Sequence, residues 1–340
     1  MGKIVTFGEI MLRLAPEGYY RFVQAQRFGA VYGGGEANVA ISLANFGLDS
    51  VYVTKLPKHE IGQAAVNTLR QFGVDTSRIV RGGSRVGIYF LEKGASQRAS
   101  KVIYDRAGSS IAAAAPEDFD WDKIFAGASW FHFTGITPAL GTNVAEITLA
   151  AAQAAKSNGL TVSCDLNYRK NLWSREKAAE VMGKLVKQVD LCIANEEDAA
   201  DVFGIKAVGA DVTTGKINRE GYQEVAKTLA ECFGFKQVAI TLRESINAND
   251  NNWGAMFYDR SRFYFSKKYP IHIVDRVGGG DSFGAGLIYG IVQGFPPQET
   301  LEFAAAASCL KHTIEGDYNL VTVDEVRKLV GGDASGRVQR

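Results

Sequence analysis

The segment 276-RVGGGDSFGAG-286 places three glycines and an aspartate directly after an extended apolar run, 271-IHIVD-275. Glycine gives up the most backbone entropy on folding, so three in succession mark a place where the chain must approach something closely. A helix pattern begins at 282-SFGAGLIYGIVQG-294, so the turn presents free backbone N–H groups at a helix N-terminus. Such a terminus attracts anions through its dipole and its unpaired donors. Gly278, Gly279 and Gly280 let a phosphate come close, and Asp281 stands at the mouth of that anion hole. Asp281 is either a helix N-cap, which spacing alone favours, or a general base for a hydroxyl attacking phosphorus. The helix N-terminus is expected to keep its carboxylate ionised at neutral pH. Two nucleotide fingerprints are excluded. GxGxxG fails at Phe283 here and at Asn38 in the earlier cluster 33-GGGEAN-38, and the chain has no GKS or GKT to end a Walker A loop.

The elements that must position these residues alternate. Strand-like 3-KIVTFGE-9 precedes helix-like 36-EANVAISLANFG-47, and 50-SVYVTKL-56 precedes 60-EIGQAAVNTLRQFG-73. The pattern continues with 130-WFHFTG-135 and 143-NVAEITLAAAQAAKSNG-159, then 160-LTVSCDLN-167 and 174-SREKAAEVMGKLVKQV-189. Strand-like 190-DLCIAN-195, helix-like 196-EEDAADVFG-204 and 219-REGYQEVAKTLAECFG-234, and strand-like 237-QVAITL-242 follow. This alternation predicts an α/β fold, a mostly parallel sheet with helices on both faces. One region departs from it. The runs 77-SRIVRG-82, 85-RVGIYFLEKG-94 and 100-SKVIYDR-106 have no intervening helix, and with 19-YYRFVQAQRF-28 they predict a small antiparallel lid. A single domain is expected over residues 1–330, its lid built from about 11–32 and 76–107. Residues 205–218 read as a surface insertion, and 331–340 as a tail that frays.

Composition narrows the partners. The 340 residues carry 38 Lys+Arg against 37 Asp+Glu, a net charge of +1. That balance argues against a broad nucleic-acid or membrane footprint, so anion recognition must be local. Cys164, Cys192, Cys232 and Cys309 form no CxxC pair and read as single buried thiols. The four histidines, His59, His132, His272 and His312, are scattered and read as structural. No signal peptide is evident, and no stretch approaches the roughly 18 apolar residues of a membrane span, so a soluble cytoplasmic protein is expected.

The clusters 33-GGGEANVA-40 and 275-DRVGGGDSFGAG-286, in this order and separation, resemble the two signatures of the ribokinase-like (PfkB) carbohydrate kinases. The resemblance spans nearly the whole chain. It implies a ribokinase-like α/β body with a β lid, transferring the γ-phosphate of ATP to a sugar hydroxyl, with Mg²⁺ as the metal. It makes Asp281 the base and Gly278, Gly279 and Gly280 the anion hole. The phrases 33-GGGEANVAISLANFG-47, 165-DLNYRKNLW-173 and 311-KHTIEGDYN-319 resemble the branch of this family that acts on 2-keto-3-deoxygluconate. A sugar acid needs a cationic contact, and arginine binds carboxylates bidentately. Arg106 and Arg169 are the candidates. Tyr104 lies two residues from Arg106 on one strand face, and Tyr89 lies on the neighbouring run. Gly34, Gly35, Glu36, Ala37 and Asn38 would hold the sugar through backbone groups and the Asn38 side chain, with Glu9 and Asp317 as further pocket residues. Arg169 could serve the substrate carboxylate or an ATP phosphate.

On the ATP side the resemblance points to Asn167, Asn195, Thr241 and Arg243, with Gly278 and Gly280. In 195-NEED-198, Asp198 stands where the family has Glu, so its action on magnesium would run through water. The same four residues also make a good helix start. The segment 240-ITLRES-245 falls where the family places a nucleotide loop, followed here by 247-NANDNN-252. A kinase for a neutral sugar is the nearest alternative, and a sugar or nucleotide sensor the more distant one. Sheet edges and an apolar face on the lid suggest a homo-oligomer, a dimer or larger.

Overall fold

The computed structural model describes residues 2–195, 197–206, 218–333 and 335–336. Most of the expected insertion at 205–218 and half of the tail 331–340 thus lie outside the described residues. In chain order the strands are β1 Lys3–Phe7, β2 Met11–Ala15, β3 Gly29–Gly33, β4 Ser50–Val53, β5 Lys55–Leu56, β6 Val80–Arg81, β7 Ile88–Glu92 and β8 Lys101–Asp105. They continue with β9 Ala128–Thr134, β10 Thr161–Asp165, β11 Leu191–Ala194, β12 Gln237–Ser245, β13 Asp250–Tyr258, β14 Phe263–Phe265 and β15 Tyr269–His272. The helices are α1 Gly35–Asn45, α2 Glu60–Gln71, α3 Trp121–Phe125, α4 Thr142–Ser157, α5 Arg175–Leu185, α6 Asp198–Phe203, α7 Arg219–Phe233, α8 Gly279–Val292, α9 Pro297–Lys311 and α10 Val323–Val330.

The body is a 9-stranded sheet. Strands β4, β1, β9, β10, β11 and β12 run parallel in that spatial order. Beyond them β13 pairs antiparallel with β12, and β14 and β15 pair with β13. Every residue of β4 and β11 is buried, as strands covered on both faces require. One core cluster joins Phe7, Phe131 and Val162 to Ile147 of α4, Met182 of α5 and Val225 of α7. The other joins Ile4, Trp130 and Leu191 to Val39 of α1, Phe283 of α8 and Phe303 of α9. The helices therefore flank the sheet on both sides, as the alternation predicts. Helix α9 escapes the pattern reading because 304-AAAA-307 is wholly buried and the helix shows little polar face.

The lid is a 4-stranded sheet in the order β3-β2-β7-β8. Its outer pairs are antiparallel and its central pair, β2 with β7, is parallel. Two expectations fail in detail. Residues 19–28 form no strand and instead turn between β2 and β3, with Tyr19, Tyr20 and Val23 exposed. Aromatic and β-branched content raised strand propensity there, but the segment pairs with no strand, and only Phe22 and Phe28 reach a neighbour, Phe90 of β7. The run 77–82 contributes only β6, which pairs with β5 outside the lid. Cys232 also departs from expectation, since it is exposed while Cys164, Cys192 and Cys309 are buried.

Helices α8 and α9 pack unusually closely because glycines line the contact. A Cβ at Gly286 would stand 2.6 Å from the Ala304 Cα, and one at Gly290 would stand 2.9 Å from the Thr300 Cγ2. Since α8 carries Asp281, this contact sets the depth of the anion hole. Gly286→Ala is expected to destabilise the protein by about 1–3 kcal/mol through overpacking, read as a lowered midpoint of denaturant unfolding. An unchanged midpoint would show that the helices can separate freely.

Candidate active site

Ligands of open α/β sheets bind beyond the carboxyl ends of the parallel strands. Here those ends carry Asp165 from β10 and Asn195 after β11, while β12 contributes Thr241. The lid strands β7 and β8 bring Tyr89 and Tyr104 across from them. Between body and lid lies a cavity of about 450 Å³. It is lined by Glu9, Gly34, Gly35, Glu36, Asn38, Tyr89, Tyr104, Arg106, Asn167, Arg169, Asn195, Asp198, Thr241, Arg243, Gly278, Gly280, Asp281 and Asp317. These residues come from distant parts of the chain, and the fold gathers them at one site.

Ala37 and Gly279 are the exceptions. The Ala37 side chain is fully buried in the core with Ile10, Ile41 and Tyr52, so only its backbone is left to meet a ligand. Gly279 faces the His312 ring, which occupies the space a Cβ would need. Gly278 is the N-cap of α8 at φ 80, and the Asp317 carbonyl fills the place of its Cβ. Only at Gly280 does the Cβ direction point into open space. Among the described residues, the N–H groups of Gly280 and Asp281 have no protein acceptor. Those two amides are therefore the ones an anion could reach, while Gly278 and Gly279 pack against Asp317 and His312.

Asp281 is the third residue of α8, so it is not the N-cap. Its carboxylate instead accepts a 2.7 Å hydrogen bond from the Asn38 Nδ2. Burial pushes its pKa up to about 6, against the opposing pull of the Asn38 bond. A group titrating near 6 is still mostly ionised at neutral pH, as expected, although desolvation brings it closer to protonation than the helix terminus would suggest. Asn38 is buried and its Oδ1 accepts from the Gly34 N–H at 3.3 Å. Glu36 lines the cavity, but its side chain is engaged by the end of β9 and the turn after it. Its Oε1 accepts from the Thr134 N–H, the Thr134 hydroxyl and the Thr137 hydroxyl at 2.9, 2.9 and 2.6 Å. Burial lifts its pKa to about 7, and the Thr137 bond opposes that rise.

At the lid end, Glu9 lies beyond β1 and is buried. Its Oε2 accepts from the Arg106 Nε at 2.7 Å and from Nη2, and its Oε1 accepts from the Ser109 hydroxyl at 2.5 Å. Glu9 therefore orients Arg106, with both of its oxygens already engaged. The guanidinium lies 5.4 Å from the Tyr104 ring centroid, and register places Tyr104 opposite Tyr89. Tyr89 donates its hydroxyl to Asp317, whose other oxygen accepts from Arg13 at 2.6 Å. Asp317 is thereby committed to the lid.

At the opposite end, Asp198 opens α6. Its oxygens accept from the Tyr168 and Asn195 N–H groups at 3.0 Å each. The Asn195 Oδ1 accepts from the Glu197 and Asp198 N–H groups at 2.7 and 3.0 Å, capping the helix. Asp165 was not singled out from the sequence. It is half-buried near Asp198, and desolvation followed by the Asp198 charge raises its pKa well above the carboxylate range. Arg169 opposes that rise. Two crowded carboxylates of this kind suit Mg²⁺, which takes hard oxygen donors, keeps several waters and completes its shell with phosphate oxygens. Asp165 and Asp198 would hold it, the latter through water because its oxygens are already engaged. Among the described residues no group of three or more His, Cys, Asp or Glu side chains forms a ready-made metal cage.

The segment 240–245 is the end of a strand. It continues β12 to Ser245 and turns into β13, placing Thr241 and Arg243 on a strand. Arg276, also missed, lines the same end, and burial and then the Arg243 charge lower its pKa. Two arginines this close favour an anion between them. Arg276 stands within 275-DRVGGGD-281, directly before the glycine turn. His312 was read as structural, yet it lines the cleft and packs 4.9 Å from Trp253 between ring centroids. Burial lowers its pKa to about 4, so it is neutral.

Unpaired amides at a helix N-terminus, a half-buried carboxylate beside them and a lid above fit a phosphoryl-transfer enzyme of the ribokinase-like fold. Residues 1–323 match the model of the pfkB family carbohydrate kinases, and the chain belongs to that family. It is a sugar kinase. The chain is similar to a crystal structure of 2-dehydro-3-deoxygluconokinase from Thermotoga maritima, with 54% identity, a TM-score of 0.94, and coverage of 98% of this chain and 100% of that one. It is also similar to the 2-dehydro-3-deoxygalactonokinase of Haloferax volcanii, 32% identical over 98% of both chains. A pfkB family carbohydrate kinase structure from Listeria grayi is 34% identical at a TM-score of 0.90, covering 97% of this chain and 99% of that one.

The raised pKa of Asp281 has consequences of opposite sign for catalysis and stability. As a base it works when ionised, so kcat/KM is expected to rise with pH through about 6 and level above it. The folded protein binds the Asp281 proton more tightly than the unfolded chain, so this group favours folding below the unfolded pKa and loses that benefit as pH rises through about 6. Asp281→Asn is therefore expected to abolish turnover yet melt higher than the parent at pH 7, the gap narrowing towards pH 4. Near-parental turnover in that variant would remove Asp281 from the reaction.

Proposed function

We propose that this sugar kinase uses ATP and Mg²⁺ to phosphorylate a 2-keto-3-deoxy sugar acid, 2-dehydro-3-deoxygluconate, at its 6-hydroxyl. The observation that carries the reading is that Arg106 and Arg169 line the same cleft as Asp281 and Gly280. Arg106 commits its Nε and Nη2 to Glu9 and keeps Nη1 for a ligand. Arg169 uses only Nη1 internally, on the Tyr168 carbonyl at 3.0 Å. A substrate carboxylate between them gains charge-assisted hydrogen bonds that a neutral sugar cannot make. Both named sugar-acid relatives act on 2-dehydro-3-deoxy acids according to their names, which supports the same substrate class.

The chemistry follows from the residues. Asp281, held by Asn38, takes the proton of the attacking hydroxyl as its bond to phosphorus forms. The Gly280 and Asp281 amides face the oxygens of the transferring phosphoryl group, where charge accumulates. When bound, Mg²⁺ neutralises phosphate charge. Arg243 and Arg276 suit the phosphate tail, while Thr241, Asn167 and Asn195 border the nucleotide. Water is excluded by the lid, whose root is anchored through Arg13 and Tyr89.

The lid also supplies a self-association surface. All five residues of β8 are exposed, including Val102, Ile103 and Tyr104, and β8 is an edge strand. A second copy covering this edge makes a homodimer. Sedimentation should give a dimer that Ile103→Lys dissociates, and a parent monomer at all concentrations would exclude it.

Coupled ADP release across a panel of sugar acids and neutral sugars tests the substrate. 2-Dehydro-3-deoxygluconate should exceed its galactonate epimer and fructose in kcat/KM. Arg106→Gln should raise KM for the acid by about 10–100-fold and barely alter a neutral sugar. Preference for fructose, or equal losses on both, would overturn the sugar-acid reading.

A further inference from the structure

Lys311 ends α9 with its side chain wholly buried. Desolvating an ammonium costs several kcal/mol unless its protons are matched. Its Nζ donates to three main-chain carbonyls, those of Gly316 at 2.7 Å, Ile314 at 3.1 Å and Asp275 at 3.3 Å. Among the described residues it forms no ion pair with a carboxylate. A group of converging neutral carbonyls is the donor set that replaces the hydration shell of a bare monovalent cation.

The carbonyls belong to the two segments that frame the glycine turn. Asp275 precedes it, and the 314–317 loop packs behind it, with the Asp317 carbonyl against Gly278. The Lys311 Cε itself lies 3.4 Å from where a Gly278 Cβ would stand. Burial presses the Lys311 pKa below its ordinary value, while the Asp275 and Asp317 charges oppose this. Its charge also reaches Asp281, helping to keep that carboxylate ionised.

We propose that the Lys311 ammonium is a covalently tethered monovalent cation that holds the two segments around the anion hole together, so that phosphoryl transfer by this chain requires no added potassium or ammonium ion. The inference rests on the kinase activity above. Lys311 touches neither reacting atom, so it is a positioning residue. Its loss should misplace the Gly280 and Asp281 amides and affect kcat and the KM for ATP more than the KM for the sugar acid.

Activity of the unaltered chain is measured in choline, sodium, potassium and ammonium chloride at equal ionic strength. The kcat is expected to vary by less than about twofold. Several-fold activation by potassium or ammonium would overturn the inference. Lys311→Ala should lower kcat by about 10²-fold by displacing the anion hole. It also opens room among the carbonyls, so ammonium or potassium, but not choline, should restore part of the rate in a saturable manner. A folded variant that keeps its rate, or that no small cation rescues, contradicts the proposal. Should the variant not fold, the salt series on the unaltered chain decides alone. ADP formation that potassium accelerates overturns this inference only, whereas no ADP formation in any salt overturns the kinase reading with it.

Discussion

Beneath the glycine turn, two buried cations and two buried carboxylates share one pocket of low dielectric. Arg13 reaches from lid strand β2 to Asp275 at 2.5 Å and to Asp317 at 2.6 Å. Burial alone would weaken its charge, but Asp317 and Asp275 hold the guanidinium firmly protonated. Tyr89 adds a second lid contact to Asp317, and Lys311 adds its ammonium from α9. Removing one member of such a group strands a buried charge, typically at about 3–5 kcal/mol. The position of the lid and the shape of the anion hole therefore depend on the same carboxylates.

The cleft above that network is a place where groups are kept away from their relaxed state. Asp281, Asp165 and Asp198 are all lifted above the ordinary carboxylate range, with burial as the first cause in each case. Arg243 and Arg276 crowd one another on the nucleotide side. Each strain is of the kind that a ligand of opposite charge would relieve. The Glu9–Arg106 pair differs, since it is already neutral, and it contributes direction more than net charge.

Much of the body was legible because burial imposes a period on the chain. Strands covered on both faces and helices with one apolar face announce themselves, and 278-GGGD-281 advertises its turn. What stayed hidden was set by tertiary contact. Residues 19–28 have the composition of a strand and no partner to pair with. Asp281 looks like a cap by spacing, and only the start of α8 at Gly279 shows that it is not one. Glu36 and Ala37 sit within a substrate-like phrase, yet the fold buries both side chains. Arg13 and Lys311 carry no sequence signal, because their partners are distant or are carbonyl groups of the backbone. Asp165 could have been found, since a carboxylate at the end of a parallel strand faces the cleft by geometry alone.

Arg13 and its partners also set an order on biosynthesis. Arg13 precedes Asp275 by 262 residues and Asp317 by 304. At ribosomal speeds of roughly 5–20 residues per second, a nascent Arg13 waits about 15–60 s for Asp317. Through that interval the lid strands have left the ribosome with their root unneutralised. The lid cannot mature as an early, self-contained unit, and it is the C-terminal segment that locks the N-terminal one in place.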